Sequence, residues 1–208
     1  MDYLNSLLFI SIIAPVAMMI VVCKDRARLP LVFISFGMIV ALACGELNTI
    51  VFNLTDFSSK YFTSNVSPIF EEVFKAFPIL MYAFVIKPSR QQLLEVSLAV
   101  GVGFAIMENA CVFAASAGAI SIWIALLRGF GAGMMHGLCT MAVGFGMSFV
   151  HSHRTVFVAG TLALLSIASI YHGTYNILVQ SGFQVVAFLL PMATFVPLVI
   201  GLKKKKIL

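Results

Sequence analysis

The chain has 208 residues, of which 61% are hydrophobic and only 10% are charged. A water-soluble domain has roughly 25% charged residues, because its surface must be covered by polar side chains. This composition excludes a water-soluble fold and indicates a polytopic membrane protein with almost no soluble part. The net charge of +5 does not indicate a nucleic-acid partner, because the basic residues lie between apolar runs or at the end of the chain.

Seven apolar runs are long enough to cross the roughly 30 Å hydrocarbon core of a bilayer as helices. In chain order they cover residues 4–23, 31–54, 67–86, 93–117, 121–150, 155–179 and 184–202. The first run is interpreted as a span rather than a signal peptide, because no basic segment precedes it and no small-residue cleavage site is evident. We therefore predict an all-α fold, in which residues 1–208 form one integral membrane domain of about seven transmembrane helices bundled around a polar centre.

The basic residues between the runs alternate in position. The linkers after the first, third, fifth and seventh runs contain Lys24, Arg26, Arg28, Lys87, Arg90, Arg154, Lys203, Lys204, Lys205 and Lys206, whereas the other linkers contain only Lys60. Positive residues are retained on the cytoplasmic side of a membrane. The alternation predicts a multi-pass protein of the plasma membrane with its amino terminus outside and its carboxyl terminus in the cytoplasm. An even number of spans would break the alternation.

Ionisable side chains also lie inside the apolar runs, where a charge costs several kcal/mol, about 3 or more. At a rise of about 1.5 Å per residue, Glu71, Glu108 and His172 lie about 6, 15 and 12 Å below the outer ends of their runs. His136 lies in the outer half of the fifth run, and Glu46 lies at a similar level in the second. Groups at one depth on five runs are expected to face one another or water. Glu46 belongs to no motif, so a structural or gating role is expected for it.

The spacing within the third run leaves two interpretations open. Glu71 and Lys75 are four residues apart and share a helix face, so they could form a buried ion pair that only fixes packing. Glu72 is turned about 100° from Glu71. If both carboxyl groups approach one centre, like charge and low dielectric favour one carboxylate beside one carboxylic acid, which suits acid–base chemistry near neutral pH.

Two further patterns are less specific. Glycines at every second position of residues 128–133 (RGFGAG) permit close helix approach, a kink or an opening, with plain packing as the alternative. The four cysteines are expected to be small core residues rather than disulfides or metal ligands, because all lie in or beside apolar runs and none forms a CxxC pair. They are Cys23, Cys44, Cys111 and Cys139.

Four motifs, in order, resemble those of the PrsW-type intramembrane proteases. Residues 67–75 (SPIFEEVFK) resemble the EExxK signature, and residues 103–109 (GFAIMEN) resemble the GFxxxEN motif. Arg128, followed by His136 and a Gly/Thr-rich continuation, resembles the third motif. Residues 171–176 (YHGTYN) resemble the fourth, in which Asn or Asp follows a histidine by four positions. The resemblance covers about residues 67–180.

This resemblance implies an intramembrane endopeptidase related to CAAX prenyl proteases and to the multispan scaffold subunit of gamma-secretase. It implies cleavage of a single-span membrane protein, such as an anti-sigma factor, near the outer face of the membrane. The chain departs from the family in two respects: these 208 residues contain no sizeable soluble domain, and the aromatic residue that some members have after the third-motif histidine is absent. Neither departure affects the ionisable residues.

The resemblance and the depth together suggest hydrolysis by an activated water molecule. Glu71 is expected to act as general base and Glu72 to orient it or to hold the shared proton, while His136 and His172 position the water or stabilise the oxyanion. Asn176 is expected to donate a hydrogen bond to that oxyanion, and Glu108 to complete the polar cluster. Supporting residues are Lys75, Arg128 and Asn109, and Arg128 is expected to pair with a glutamate.

Three alternatives stay open at this stage. No metal is firmly predicted, but a divalent ion such as zinc could be bound by Glu71, Glu108, His136 and His172. The chain could instead be a non-catalytic scaffold that binds membrane helices, in which its histidines serve only in packing. A proton-coupled transporter is disfavoured because no inverted repeat is evident.

Overall fold

The computed structural model describes residues 27–116 and 121–205, with the isolated positions 20 and 207. Over these residues the chain is helical and contains no strand. Five of the helices have the length and apolar composition to cross a membrane: Arg28–Asn53, Arg90–Ala115, Ile122–Met147, Arg154–Val179 and Gln184–Lys204. The chain is therefore an integral, multi-pass membrane protein. The predicted count of about seven spans is not confirmed, and the first predicted run (4–23) lies, but for position 20, outside the described residues.

The long helices follow one another through short connections, which reverse the chain direction each time. In chain order the helices are α1 (Arg28–Asn53), α2 (Ser59–Tyr61), α3 (Ser67–Ile86), α4 (Arg90–Ala115), α5 (Ile122–Leu126), α6 (Gly133–Met147), α7 (Arg154–Val179) and α8 (Gln184–Lys204). Two π-helical segments, Phe62–Val66 and Leu127–Ala132, join α2 to α3 and α5 to α6. The glycine-rich stretch thus forms one of two irregular helical segments, a type of feature often found at functional sites.

Helix α3 has the bounds expected from the sequence, and it contains three charged residues, as many as the longer α4. It contacts α1, α4, α6 and α7. Its ionisable side chains Glu71, Glu72 and Lys75 are buried, whereas the apolar Ile69 and Phe77 are exposed. This inside-out arrangement is expected for a helix whose outer surface faces lipid, because polar groups in the bilayer core must find partners within the protein.

Two glycines allow α1 and α4 to approach closely. A Cβ atom on Gly37 would overlap the carbonyl oxygen of Val100, and one on Gly103 would overlap that of Ile34. Gly101, also on α4, allows the backbones of α4 and α6 to approach closely. A Cβ atom at Gly101 would lie 2.5 Å from the carbonyl oxygen of His136. Small residues at these crossings therefore set the helix spacing at the level of the buried polar side chains.

Replacement of Gly37 by valine should destabilise the fold. The atoms that the new side chain meets are backbone atoms of α4, which cannot rotate away, and overpacking of this kind costs roughly 1–3 kcal/mol. The midpoint of thermal unfolding in mild detergent is the measurement. Gly45→Val, on the same helix, is the matched control, because a Cβ at Gly45 meets nothing within 4 Å. Equal midpoints for the two variants would contradict the assigned helix contact.

Most of the described basic residues outside the buried cluster lie at one end of the bundle. Arg28, Arg90 and Arg154 begin α1, α4 and α7, and Lys203 and Lys204 lie in the last turn of α8. Lys60, in α2, lies at the opposite end. Glu71 lies in the second turn of α3 and His172 in the last third of α7, so both are nearer the end that is poor in basic residues.

Candidate active site

Lys75 is completely buried and joins two helices through its ammonium group. Its Nζ lies 2.6 Å from Oε1 of Glu72 and 2.9 Å from Nδ1 of His136. The same nitrogen lies 4.6 Å from the centre of the Phe104 ring. The ion pair within α3 thus forms between residues three apart. The suggested pair of Lys75 with Glu71 is wrong, because the Glu71 carboxylate is held elsewhere.

His172, on α7, lies between the two adjacent glutamates. Its Nδ1 is 2.8 Å from Oε1 of Glu72, and its Nε2 is 3.6 Å from Oε2 of Glu71. Glu72 is ion-paired with Lys75 and acts as an acceptor, so Nδ1 of His172 donates its proton to Glu72. Two side chains that point about 100° apart on one helix therefore contact the two edges of a single imidazole ring.

His136, on α6, connects the α3 carboxylates to a second group on α4. Its ring lies nearly perpendicular to that of His172, with centres 4.8 Å apart. Because the ammonium of Lys75 can only donate, Nδ1 of His136 accepts that bond, and Nε2 donates to Oε2 of Glu108 at 2.9 Å. The neutral ring is therefore fixed in one tautomer by partners on both sides.

Arg128 and Asn109 form the outer part of the cluster. An Nη of Arg128 lies 3.1 Å from Oε1 of Glu108, and Nε donates to Oδ1 of Asn109 at 2.9 Å. Asn109 in turn donates to the carbonyl oxygen of Arg128 at 3.2 Å. The expectation that Arg128 pairs with a glutamate is confirmed. The π-helical segment Leu127–Ala132 presents Arg128 to the carboxyl-terminal part of α4.

A comparison of the whole chain with known protein families identifies its family. The sequence profile described as the PrsW family intramembrane metalloprotease matches residues 25–202, which is most of the chain. The chain belongs to the PrsW family of intramembrane metalloproteases. No curated protein and no solved structure matches it. Membership of the PrsW family makes the chain a membrane-embedded peptidase, a hydrolase that acts on membrane proteins within the bilayer.

The metal expected of a PrsW-family protein fits the residues that the cluster contains. Glu71, His136 and His172 each offer one ligand atom, and these atoms lie within 4.8 Å of one another. Oε2 of Glu71 is buried and has no hydrogen-bond partner in the described part of the chain. It faces Nε2 of His172 at 3.6 Å, and two ligands of a tetrahedral zinc lie roughly 3.4 Å apart. A carboxylate oxygen without a hydrogen-bond partner and an imidazole nitrogen at this separation fit two ligands of one cation.

Other features agree with a metal site of this kind. Glu72 holds the remaining nitrogen of His172, as carboxylates commonly do for metal-binding histidines. One adjustment is required, because both nitrogens of His136 already have partners in Lys75 and Glu108. Glu108, the fourth candidate ligand, has both oxygens engaged, by His136 and Arg128. It therefore fits a supporting position better than a ligand position.

Asn176 does not direct its amide nitrogen to the cluster. The amide nitrogen of Asn176 donates to the carbonyl oxygen of Thr63 at 2.9 Å, so this donor holds the segment before α3. Glu46 is exposed on α1, and a structural or gating role for it stays a prediction. Each cysteine within the described residues is a free thiol, as expected for Cys44, Cys111 and Cys139. Cys23 lies outside them.

Two residues of the site were missed from the sequence. Ser67, the first residue of α3, donates from Oγ to Oε1 of Glu71 at 2.6 Å. Asn48, on α1, donates from Nδ2 to Oγ of Ser67 at 2.6 Å. The spacing of four residues between Ser67 and Glu71 was a usable signal, since such residues share a helix face. The sequence contains no comparable signal for Asn48.

Proposed function

We propose that this chain hydrolyses a peptide bond of a membrane-anchored protein with a water molecule activated at Glu71. The observation that supports the proposal is the free, buried Oε2 of Glu71 opposite Nε2 of His172, within a cluster contributed by α3, α4, α6 and α7. Accumulation of a single-span protein in membranes that contain the Glu71→Gln variant, relative to the wild type, is the direct test.

The residues of the cluster have separate roles in this proposal. Glu71 removes a proton from the attacking water and later delivers it to the leaving amide nitrogen, a contribution of roughly 10²–10⁴-fold to the rate. Glu72 fixes the tautomer of His172, and Lys75 balances the charge of Glu72. His136 and His172 position the water or stabilise the oxyanion. Glu108, Asn109 and Arg128 hold His136 in place through the bonds described above.

A divalent ion such as zinc, held by Glu71, His136 and His172, would make a bound water more acidic and polarise the scissile carbonyl. In that case Glu71 serves as a ligand rather than as the base. The oxyanion role of Asn176 stays a prediction. It requires the amide nitrogen to leave the carbonyl oxygen of Thr63.

Metal removal distinguishes the two forms of the mechanism. Purified protein in detergent should lose cleavage after treatment with a chelator and regain it with zinc, and it should contain about one metal ion per chain by elemental analysis. His172→Ala should lower the bound metal, because it deletes one of three ligands. Full cleavage by metal-free protein would instead establish a purely glutamate-dependent reaction.

The position of the cluster supports cleavage near the outer face. Glu71 and His172 lie nearer the end of the bundle opposite the basic residues, and basic residues are retained in the cytoplasm. We therefore propose that the amino terminus lies outside, the carboxyl terminus lies in the cytoplasm of a cell bounded by the plasma membrane, and the site lies in the outer half of the bilayer. A single-span substrate such as a membrane-anchored anti-sigma factor fits this position.

A further inference from the structure

We infer that Asn48 and Ser67 are positioning residues that determine which oxygen of Glu71 is available to the reaction. The inference rests on the proposed function, because it concerns the group that activates water. Neither residue belongs to the ionisable part of the motifs. Asn48 comes from α1, a helix that contributes no other side chain to the cluster described above.

The hydrogen bonds from α1 to Glu71 run in one direction. The amide nitrogen of Asn48 can only donate, so the hydroxyl oxygen of Ser67 is an acceptor for it at 2.6 Å. Ser67 has a single hydroxyl proton, which is therefore directed to Oε1 of Glu71, also at 2.6 Å. Ser67 is buried, so water does not replace either bond readily.

The direction of these hydrogen bonds distinguishes the two oxygen atoms of the Glu71 carboxyl group. Oε1 of Glu71 accepts a hydrogen bond from Ser67, which makes it the less favourable of the two oxygens to carry a proton. Oε2 is then the atom that takes a proton or binds a cation, and it is the atom that faces Nε2 of His172 at 3.6 Å. A carboxylate held by one oxygen in this way also loses its freedom to rotate, which keeps Oε2 aimed at the reaction centre.

The orientation of the Asn48 amide decides the direction of these hydrogen bonds. With the amide turned over, Oδ1 would attract the Ser67 proton, and Oε1 of Glu71 would lose its donor. In the observed orientation it is Oδ1 of Asn48 that is buried with no partner among the described residues. An unpaired buried acceptor is unfavourable. Its presence is understandable if the amide is needed as a donor toward Glu71.

The first test removes or retains the hydroxyl group. Ser67→Ala should lower kcat by about 10–100-fold, the range found for groups that orient a reacting or metal-binding side chain, with KM for the accumulating single-span substrate unchanged. Ser67→Thr keeps the hydroxyl and should stay within a few-fold of the wild type. A loss in Ser67→Thr equal to that in Ser67→Ala, or equal changes in kcat and KM, would indicate a structural role only and overturn the inference.

The second test reverses the direction of the bonds without changing the shape. In Asn48→Asp the new carboxylate accepts the hydrogen bond of the Ser67 hydroxyl. Glu71 therefore loses its donor, and kcat should fall as in Ser67→Ala. The double variant Ser67→Ala with Asn48→Asp should be no slower than Ser67→Ala alone, since both changes remove the hydrogen bond from Ser67 to Glu71. Additive losses, or an Asn48→Asp variant with wild-type kcat, would overturn the inference.

A third measurement is independent of cleavage. The carboxylate bands of Glu71 are assigned from the infrared difference between wild type and Glu71→Gln, both labelled with 13C-glutamate. These bands should shift in Ser67→Ala and in Asn48→Asp but not in Ser67→Thr. Unshifted bands in all three variants would overturn the positioning role even if the proposed hydrolysis holds. Bands that shift in Ser67→Ala and Asn48→Asp, combined with a wild-type protein that cleaves no membrane protein, would instead overturn the proposed function and leave the contact established.

Discussion

Glu71→Gln is expected to reduce cleavage of a membrane-anchored substrate by at least roughly 10²-fold, and up to about 10⁴-fold, the contribution of a positioned general base. Glutamine keeps the size of the side chain and can still accept the hydrogen bond of the Ser67 hydroxyl, so the fold should be retained. Its amide cannot take a proton from water, and it is a poor ligand for zinc. The measurement is the rate of substrate loss with purified protein in detergent, together with the accumulation of uncleaved substrate in membranes.

Glu95→Gln is the matched control, because the Glu95 carboxylate lies in the second turn of α4, at the basic end, and binds Gln91. It should cleave at the wild-type rate. Full cleavage by Glu71→Gln, Glu72→Gln and His172→Ala alike would refute the proposed mechanism. A chain that binds membrane helices without cleaving them, in both wild type and Glu71→Gln, would instead be a scaffold.

Lys75→Met is expected to cause the largest loss of stability of any single change in the cluster. Lys75 and Glu72 are both fully buried and 2.6 Å apart, so removal of the ammonium leaves a carboxylate without its counter-charge. Breaking a buried ion pair in this way costs roughly 3–5 kcal/mol. His136 also loses the donor to its Nδ1. The midpoint of thermal unfolding in detergent should fall sharply, and cleavage should fall with it.

A second substitution separates charge from packing. Lys75→Met combined with Glu72→Gln removes both charges and should recover much of the lost stability, although not the activity, because Glu72 no longer fixes His172 as a carboxylate. Lys60→Met, at an exposed position in α2, should leave the unfolding midpoint close to that of the wild type. If the double variant were as unstable as Lys75→Met, the buried ion pair would not be the source of the effect.

The membrane location, the bounds of α3 and most of the candidate site residues follow from the sequence. Composition and run length require a bilayer, because so few polar side chains cannot cover a soluble surface. The cost of burying charge requires the ionisable residues of α3 to meet others, and four motifs in family order indicate which. Local sequence signals also determine where a helix begins. The turn before α4, for example, has a capping box formed by Ser89 and Gln92.

The choice of partner within the cluster was decided only by the tertiary structure. Helical spacing shows that Lys75 shares a face with Glu71, yet Lys75 pairs with Glu72 because Ser67 and Asn48 hold Glu71. Periodicity within one helix gives the direction of a side chain, but not the rotation or the distance of the neighbouring helix. Those depend on contacts such as the close approach at Gly37 and on the π-helical segments. The sequence therefore determined which side chains are buried together, and helix packing determined which atoms face each other.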